Sequence, residues 1–118
     1  MGKGMITKIS AATAVAVLSA PLAHAVPEVG MNGLCPNAWN LAQYIAANYP
    51  GVQSIGGVRA DRLPDHPSGH AIDIMIGANM GLGDMIASYV NSNFSTYSVK
   101  YVLWRVPDHF NHVHVTVF

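Results

Sequence analysis

His112-Val113-His114-Val115-Thr116-Val117 alternates completely, so under a period of two both imidazoles and the Thr116 hydroxyl share one strand face while the valines enter a core. Ala71-Ile72-Asp73-Ile74-Met75-Ile76 repeats the pattern, with Asp73 opposite a row of isoleucines. Pairing the two strands brings a carboxylate beside two imidazoles, a combination that suits zinc, which takes His nitrogen and Asp oxygen at about 2 Å in tetrahedral sites. A third protein ligand is expected from the loop that feeds the Asp73 strand, where His66-Pro67-Ser68-Gly69-His70 offers His66. Three protein ligands leave a fourth position for a water whose pKa zinc lowers toward about 7, the arrangement of a hydrolytic site.

Several elements must position these groups. Ala38, Leu41, Ala42 and Ile45 recur at helical spacing after Asn37, a candidate cap, and Asn48-Tyr49-Pro50-Gly51 ends the run, which predicts a helix over 38–48. Ser54 to Arg59 is short, β-branched and interrupted by Gly56-Gly57, as suits a strand whose backbone passes close to another segment. Gly77 to Gly83 reads as a glycine-rich loop, and 84–91 as a helix packing Met85, Ile86, Tyr89 and Val90. Strands are expected over 100–105 and 112–118, with a loop starting at Pro107 between them. The sum is an α+β domain with a small antiparallel sheet and two or three helices.

Lys3 and Lys8 flank an apolar stretch, Ile9 to Leu22, that ends in Ala23-His24-Ala25. This is the pattern of a signal peptide cleaved after Ala25, too short for a membrane span, and it predicts a secreted or envelope-located protein with no stable membrane insertion. The expected organisation is a leader over 1–25, an irregular Gly- and Pro-rich lead-in over 26–36 and one domain over 37–118. A chain this small builds a modest core, to which bound metal could add stability. Cys35 cannot pair within its own chain and is either a small buried hydrophobe or an intermolecular partner. After Ala25, Arg59, Arg62, Lys100 and Arg105 face six acidic residues, so no basic surface exists for a phosphate backbone and nucleic acid is not an expected partner.

The motifs His66-x6-Asp73 and His112-x-His114 resemble the signature of the LAS metallopeptidases, the group of lysostaphin-type enzymes, D-Ala-D-Ala peptidases, penicillin-insensitive murein endopeptidases and hedgehog domains. His66, Gly69, Ala71 and Asp73 match the fuller form found in D-Ala-D-Ala peptidases. The segment from Asn37 onward is also similar to small exported actinobacterial proteins that share the run Gly56-Gly57-Val58-Arg59, the Asp65–Asp73 motif and the closing His112–Val115. The resemblance implies a hedgehog/D-Ala-D-Ala-peptidase-like fold, a Zn2+ cofactor held by His66, Asp73 and His114, and cell-wall (peptidoglycan) peptide as substrate. It implies a catalytic role for His112, with His109 beside it, and places Arg59 where an arginine could stabilise an oxyanion.

One position departs from the pattern: D-Ala-D-Ala peptidases carry an acid three residues before the last ligand, and Asn111 stands there. Murein endopeptidases instead have histidines five and two residues before it, matched by His109 and His112. His112 is then base or polarising donor, with Asp108 or Asp65 to orient it. His70 fits no ligand position and is expected at the surface or behind the ligands. Trp104, Tyr101 and Phe110 either pack or line a peptide groove. A zinc hydrolase and a zinc-stabilised binding module without turnover both remain open, beside a metal-free structural protein; chelation should leave the melting temperature of the last unchanged.

Overall fold

A computed structural model describes residues 25–118 of the chain. All of the expected leader except Ala25 lies outside the described residues. Among the described residues no helix is long and apolar enough to cross a membrane.

Helix α1, Pro36–Asn48, begins two residues before the predicted start, with Cys35 rather than Asn37 at the N-cap and no side-chain cap. Pro36 accounts for the difference, because its fixed φ suits the first helical turn and its missing N–H would have had no partner there. The predicted apolar stripe is the buried one: Ala38, Leu41, Ala42 and Ile45. Cys35 is a free, partly buried cysteine packed against the core.

Helix α2, Met80–Ser92, also starts earlier than expected. The Asn79 side chain accepts a hydrogen bond from the Leu82 N–H at 3.1 Å, and this cap recruits residues that read as loop because Gly81 and Gly83 are poor helix formers. The buried face is Gly83, Ile86, Ala87 and Val90, whereas Met85 is 60% exposed and not part of the stripe. Gly83 is required by packing: a Cβ there would lie 2.2 Å from the indole of Trp104. That ring cannot swing away freely, since Trp104 Nε1 and Arg105 Nε each donate to Asp84 Oδ1 at 2.8 Å. Gly83→Ala gains up to about 1 kcal/mol of helix propensity but meets an overpacking cost of about 1–3 kcal/mol. Thermal melting should therefore show a net loss of several degrees; an unchanged or higher midpoint would mean that the indole is not a fixed wall.

Five strands form one sheet in the order β1-β2-β3-β5-β4, where β1 is Glu28–Val29, β2 Ser54–Gly56, β3 Ala71–Met75, β4 Val99–Leu103 and β5 His112–Val117. The class is α+β as expected, with two helices, but the sheet is mixed rather than wholly antiparallel because β1 pairs parallel to β2. The lead-in is thus partly ordered as an edge strand, two residues being too few to show a period. The glycines predicted to permit a close approach do so: Gly57 N–H donates to Val29 O at 2.8 Å, and a Cβ on Gly57 would sit 2.5 Å from Gly30 O.

Both helices lie against the central strands, and Leu41, Ile45, Ile86 and Val90 share a core with Ile55, Ile72, Ile74, Val113, Val115 and Val117. Each such side chain contributes about 1.5–3 kcal/mol when fully buried. The strict alternation of β3 and β5 leaves Asp73, His112, His114 and Thr116 on the opposite face, supported by a rigid layer beneath.

Candidate metal centre

The antiparallel register of β3 and β5 pairs Asp73 with His114 and Met75 with His112. His66 reaches the same place from the loop between β2 and β3. Gly69 pins that loop: it has φ +82°, a Cβ would fall 2.2 Å from Gly33 O, and its carbonyl accepts from Cys35 N–H at 2.9 Å. His66 is only 1% exposed, and one candidate ligand atom from each of His66, Asp73 and His114 lies within 4.8 Å of the others.

Hydrogen-bond directions reveal what these atoms offer. His66 Nδ1 lies 2.8 Å from Gly57 O, and a carbonyl only accepts, so Nδ1 carries the proton. On the neutral ring His66 Nε2 then presents a lone pair toward Asp73 Oδ2, 3.2 Å away, and this buried atom makes no hydrogen bond. Thr116 Oγ1 donates to Asp65 Oδ2 at 3.0 Å, spending its one proton, and therefore accepts from His114 Nε2–H at 2.8 Å. On the neutral ring that leaves the lone pair on His114 Nδ1, which faces Asp73 Oδ1 at 3.0 Å.

Two imidazole lone pairs thus converge on one carboxylate. Electron pairs at such distances repel unless positive charge lies between them. His114 Nδ1 lies 3.0 Å from Asp73 Oδ1 and His66 Nε2 3.2 Å from Asp73 Oδ2, so each imidazole faces its own oxygen of the carboxylate, and with one atom from each residue within 4.8 Å of the others the three surround a single position. A donor set of two imidazole nitrogens and a carboxylate at this spacing could hold a metal ion. Burial opposes ionisation of Asp73, yet the adjacent rings of His114 and His66, able to share a proton with it, hold its carboxyl far below the usual range. Burial likewise opposes protonation of His66, but Asp73 and the Gly57 carbonyl raise its pKa above the ordinary imidazole value. The Asp73–His66 contact contributes to both shifts: carboxylate and imidazole favour positive charge held between them, and a proton or a metal ion satisfies this.

The other predicted residues surround this centre. His112 Nδ1–H donates to Asn111 Oδ1 at 2.7 Å, leaving its Nε2 lone pair 3.7 Å from Asp73 Oδ1. Neither Asp108 nor Asp65 orients this ring, contrary to expectation; Asn111, read from the sequence as a lost acid, does so. The same ring has a pKa lowered by burial, with the adjacent His109 acting in the same direction against the attraction of Asp73. His109 Nδ1–H donates to Pro107 O at 2.9 Å, and its ring centre lies 4.8 Å from that of His112. Arg59 contacts the Asp73 carboxylate itself, 3.2 Å from Oδ2, and also lies 3.5 Å from Asp61.

His66, Asp73, His114, Arg59, His109 and His112 line a cleft of about 390 Å3 whose walls include Leu63, Leu103 and Tyr101. Tyr101 thus faces the site, whereas Trp104 packs on the core and Phe110 is 52% exposed outside the cleft lining. His70 stands apart, bonded to Ser68 Oγ at 3.0 Å in a separate depression. Sequence reasoning assigned no role here to Thr116, although it was legible on the histidine face of β5, and left Tyr101 between packing and a groove wall. The Tyr101 hydroxyl donates to Asp65, a partnership across 36 positions that no local pattern signals. With this bond as the largest cause, the Asp65 carboxyl is held below its usual range.

The chain matches the family model described as VldE, C-terminal domain, over residues 30–107. That span takes in His66 and Asp73 and stops short of His109, His112 and His114. No curated protein and no solved structure matches the chain. With about two-thirds of its residues inside the family match, the chain belongs to the VldE C-terminal domain family.

Proposed function

We propose that this domain is an exported zinc-dependent peptidase-like protein that acts on peptide bonds of the cell wall, with His66, Asp73 and His114 as metal ligands. The observation that carries the reading is the convergence of the His66 Nε2 and His114 Nδ1 lone pairs on the Asp73 carboxylate. When bound, the ion would supply Lewis acidity and lower the pKa of a water toward about 7.

The chain's own residues divide the remaining work. His112 Nε2 is the proton acceptor, its ring held by Asn111 and kept neutral by burial. Arg59 balances the ligand carboxylate and offers a cationic donor, and His109 adds a second imidazole beside His112. Leu63, Leu103 and Tyr101 give a peptide an apolar wall within reach of these polar groups. The His-Asp-His donor set suits zinc, and cobalt or nickel would accept the same ligands.

A second reading, a zinc-binding module that holds wall peptide or a protein partner without turnover, is favoured by Asn111, since an amide cannot take a proton. Metal analysis of protein purified without a histidine tag, followed by incubation with muropeptides, separates the readings. About one zinc per chain with release of cleaved peptide is expected. One zinc with binding but no cleavage would establish the module, and well-folded protein without zinc would overturn both.

A further inference from the structure

Behind His114 runs a chain of hydrogen bonds that the catalytic scheme does not use. Thr116 is 1% exposed, so its hydroxyl must find all its partners within the protein, and it finds two: His114 Nε2 at 2.8 Å and Asp65 Oδ2 at 3.0 Å. Its one proton can serve only one of them. An ionised carboxylate is a stronger acceptor than a neutral ring nitrogen, so the proton goes to Asp65 and the hydroxyl oxygen is left to accept from His114. Tyr101 holds Asp65 in this role by donating to the same oxygen, and its ring lies nearly parallel to that of His114, 15° between planes and 5.9 Å between centres.

We propose that Asp65, acting through Thr116, is a positioning residue that favours the His114 tautomer with its proton on Nε2, so that the Nδ1 lone pair is presented to the metal. Asp65 immediately precedes His66, so one loop both delivers the first ligand and sets the tautomer of the last. Were Asp65 unable to take the hydroxyl proton, Thr116 could donate to His114 Nε2 instead. The ring proton would then move to Nδ1 and hydrogen-bond Asp73, and the ligand atom would be blocked. Partners behind a metal ligand commonly account for about a ten- to hundredfold difference in metal affinity. The zinc arm of the proposal rests on the ligand set above, whereas the tautomer arm does not.

The experiment compares wild type with Thr116→Val, Thr116→Ser and Asp65→Asn. Nitrogen NMR of the imidazoles in metal-free protein at alkaline pH reads the tautomer, and competition with a chromophoric chelator reads zinc affinity. Without metal the Asp73 carboxylate draws the ring proton toward Nδ1 while the relay draws it toward Nε2, so wild type should show a measurable share of His114 protonated on Nε2. Thr116→Val, which keeps the shape and removes the hydroxyl, should populate the other tautomer and bind zinc about ten- to hundredfold more weakly. Thr116→Ser should restore both readouts, and Asp65→Asn should shift both in the direction of Thr116→Val with Thr116 still in place. Thr116→Val and Asp65→Asn proteins that keep the wild-type tautomer ratio and bind zinc within about twofold of wild type would overturn the proposal. If wild type binds no zinc the ligand assignment fails, and the NMR comparison alone decides the relay.

Discussion

Asp73→Ala should release zinc that the wild-type domain retains, with affinity falling more than about a hundredfold, since even partners behind a ligand are worth about ten- to hundredfold. The carboxylate is the hub of the site: both candidate ligand nitrogens face its oxygens at 3.0 and 3.2 Å. Removing it leaves two neutral imidazoles that no longer enclose a position for a dication. Saturation at about a hundred times Kd stabilises a folded protein by about 2.7 kcal/mol. In a domain of this size that corresponds to about 10–20 °C in Tm, so chelation should lower the wild-type Tm by about that much and leave Asp73→Ala unmoved.

The same pair predicts how this gain varies with pH. In metal-free protein His66 has a folded pKa above its unfolded value, so its stabilising contribution is complete below the unfolded pKa and is lost as pH rises through the folded one. Asp73 is depressed, and its contribution is present above the ordinary carboxylate range and lost as pH falls through its depressed value. Zinc must displace the proton between them, so the difference in Tm between zinc-loaded and metal-free protein should be small near about pH 5 and widen toward about pH 8. Equal differences at both values would mean that metal and proton do not compete for one place, and the lone-pair reading would fall with them.

The site was more legible in the sequence than its support. Strict alternation over 71–76 and 112–117 placed Asp73 and both histidines on one face before any fold was known, because a period of two leaves no freedom once the valines and isoleucines are committed to a core. His66 was found from its position in the loop feeding β3. What escaped were features set by contacts distant in sequence. The glycines of α2 looked like loop, and only the indole of Trp104, about twenty positions later, explains why Gly83 sits inside a helix. The parallel edge strand β1 carries two residues and no period, and its place follows from backbone bonds around Gly57. Asn111 was judged by the proton it cannot accept, while its value lies in the Nδ1–H it does accept from the next residue.

That bond leads to the second large effect, on rate rather than on metal. His112→Ala should leave zinc content unchanged and lower muropeptide cleavage by about 10²–10⁴, the range removed with a positioned general base. His112 Nε2 stands 3.7 Å from Asp73 Oδ1, beside the ligands without being one of them, so its loss should separate catalysis from binding. Burial places its pKa below the ordinary imidazole value, with His109 acting in the same direction, and a nearby dication would lower it further. A base of that kind is already unprotonated at neutrality, so kcat/KM should climb through an acid limb below about pH 6.5 and then level off. Asn111→Asp supplies the test that a merely structural role would not pass. A carboxylate accepting from Nδ1–H stabilises the imidazolium, so the limb should move to higher pH while zinc stays bound. A limb that stays in place, in a variant that still cleaves, would remove His112 from the role of base; unchanged peptide affinity with no turnover in any variant would make this a binding domain built on a zinc site.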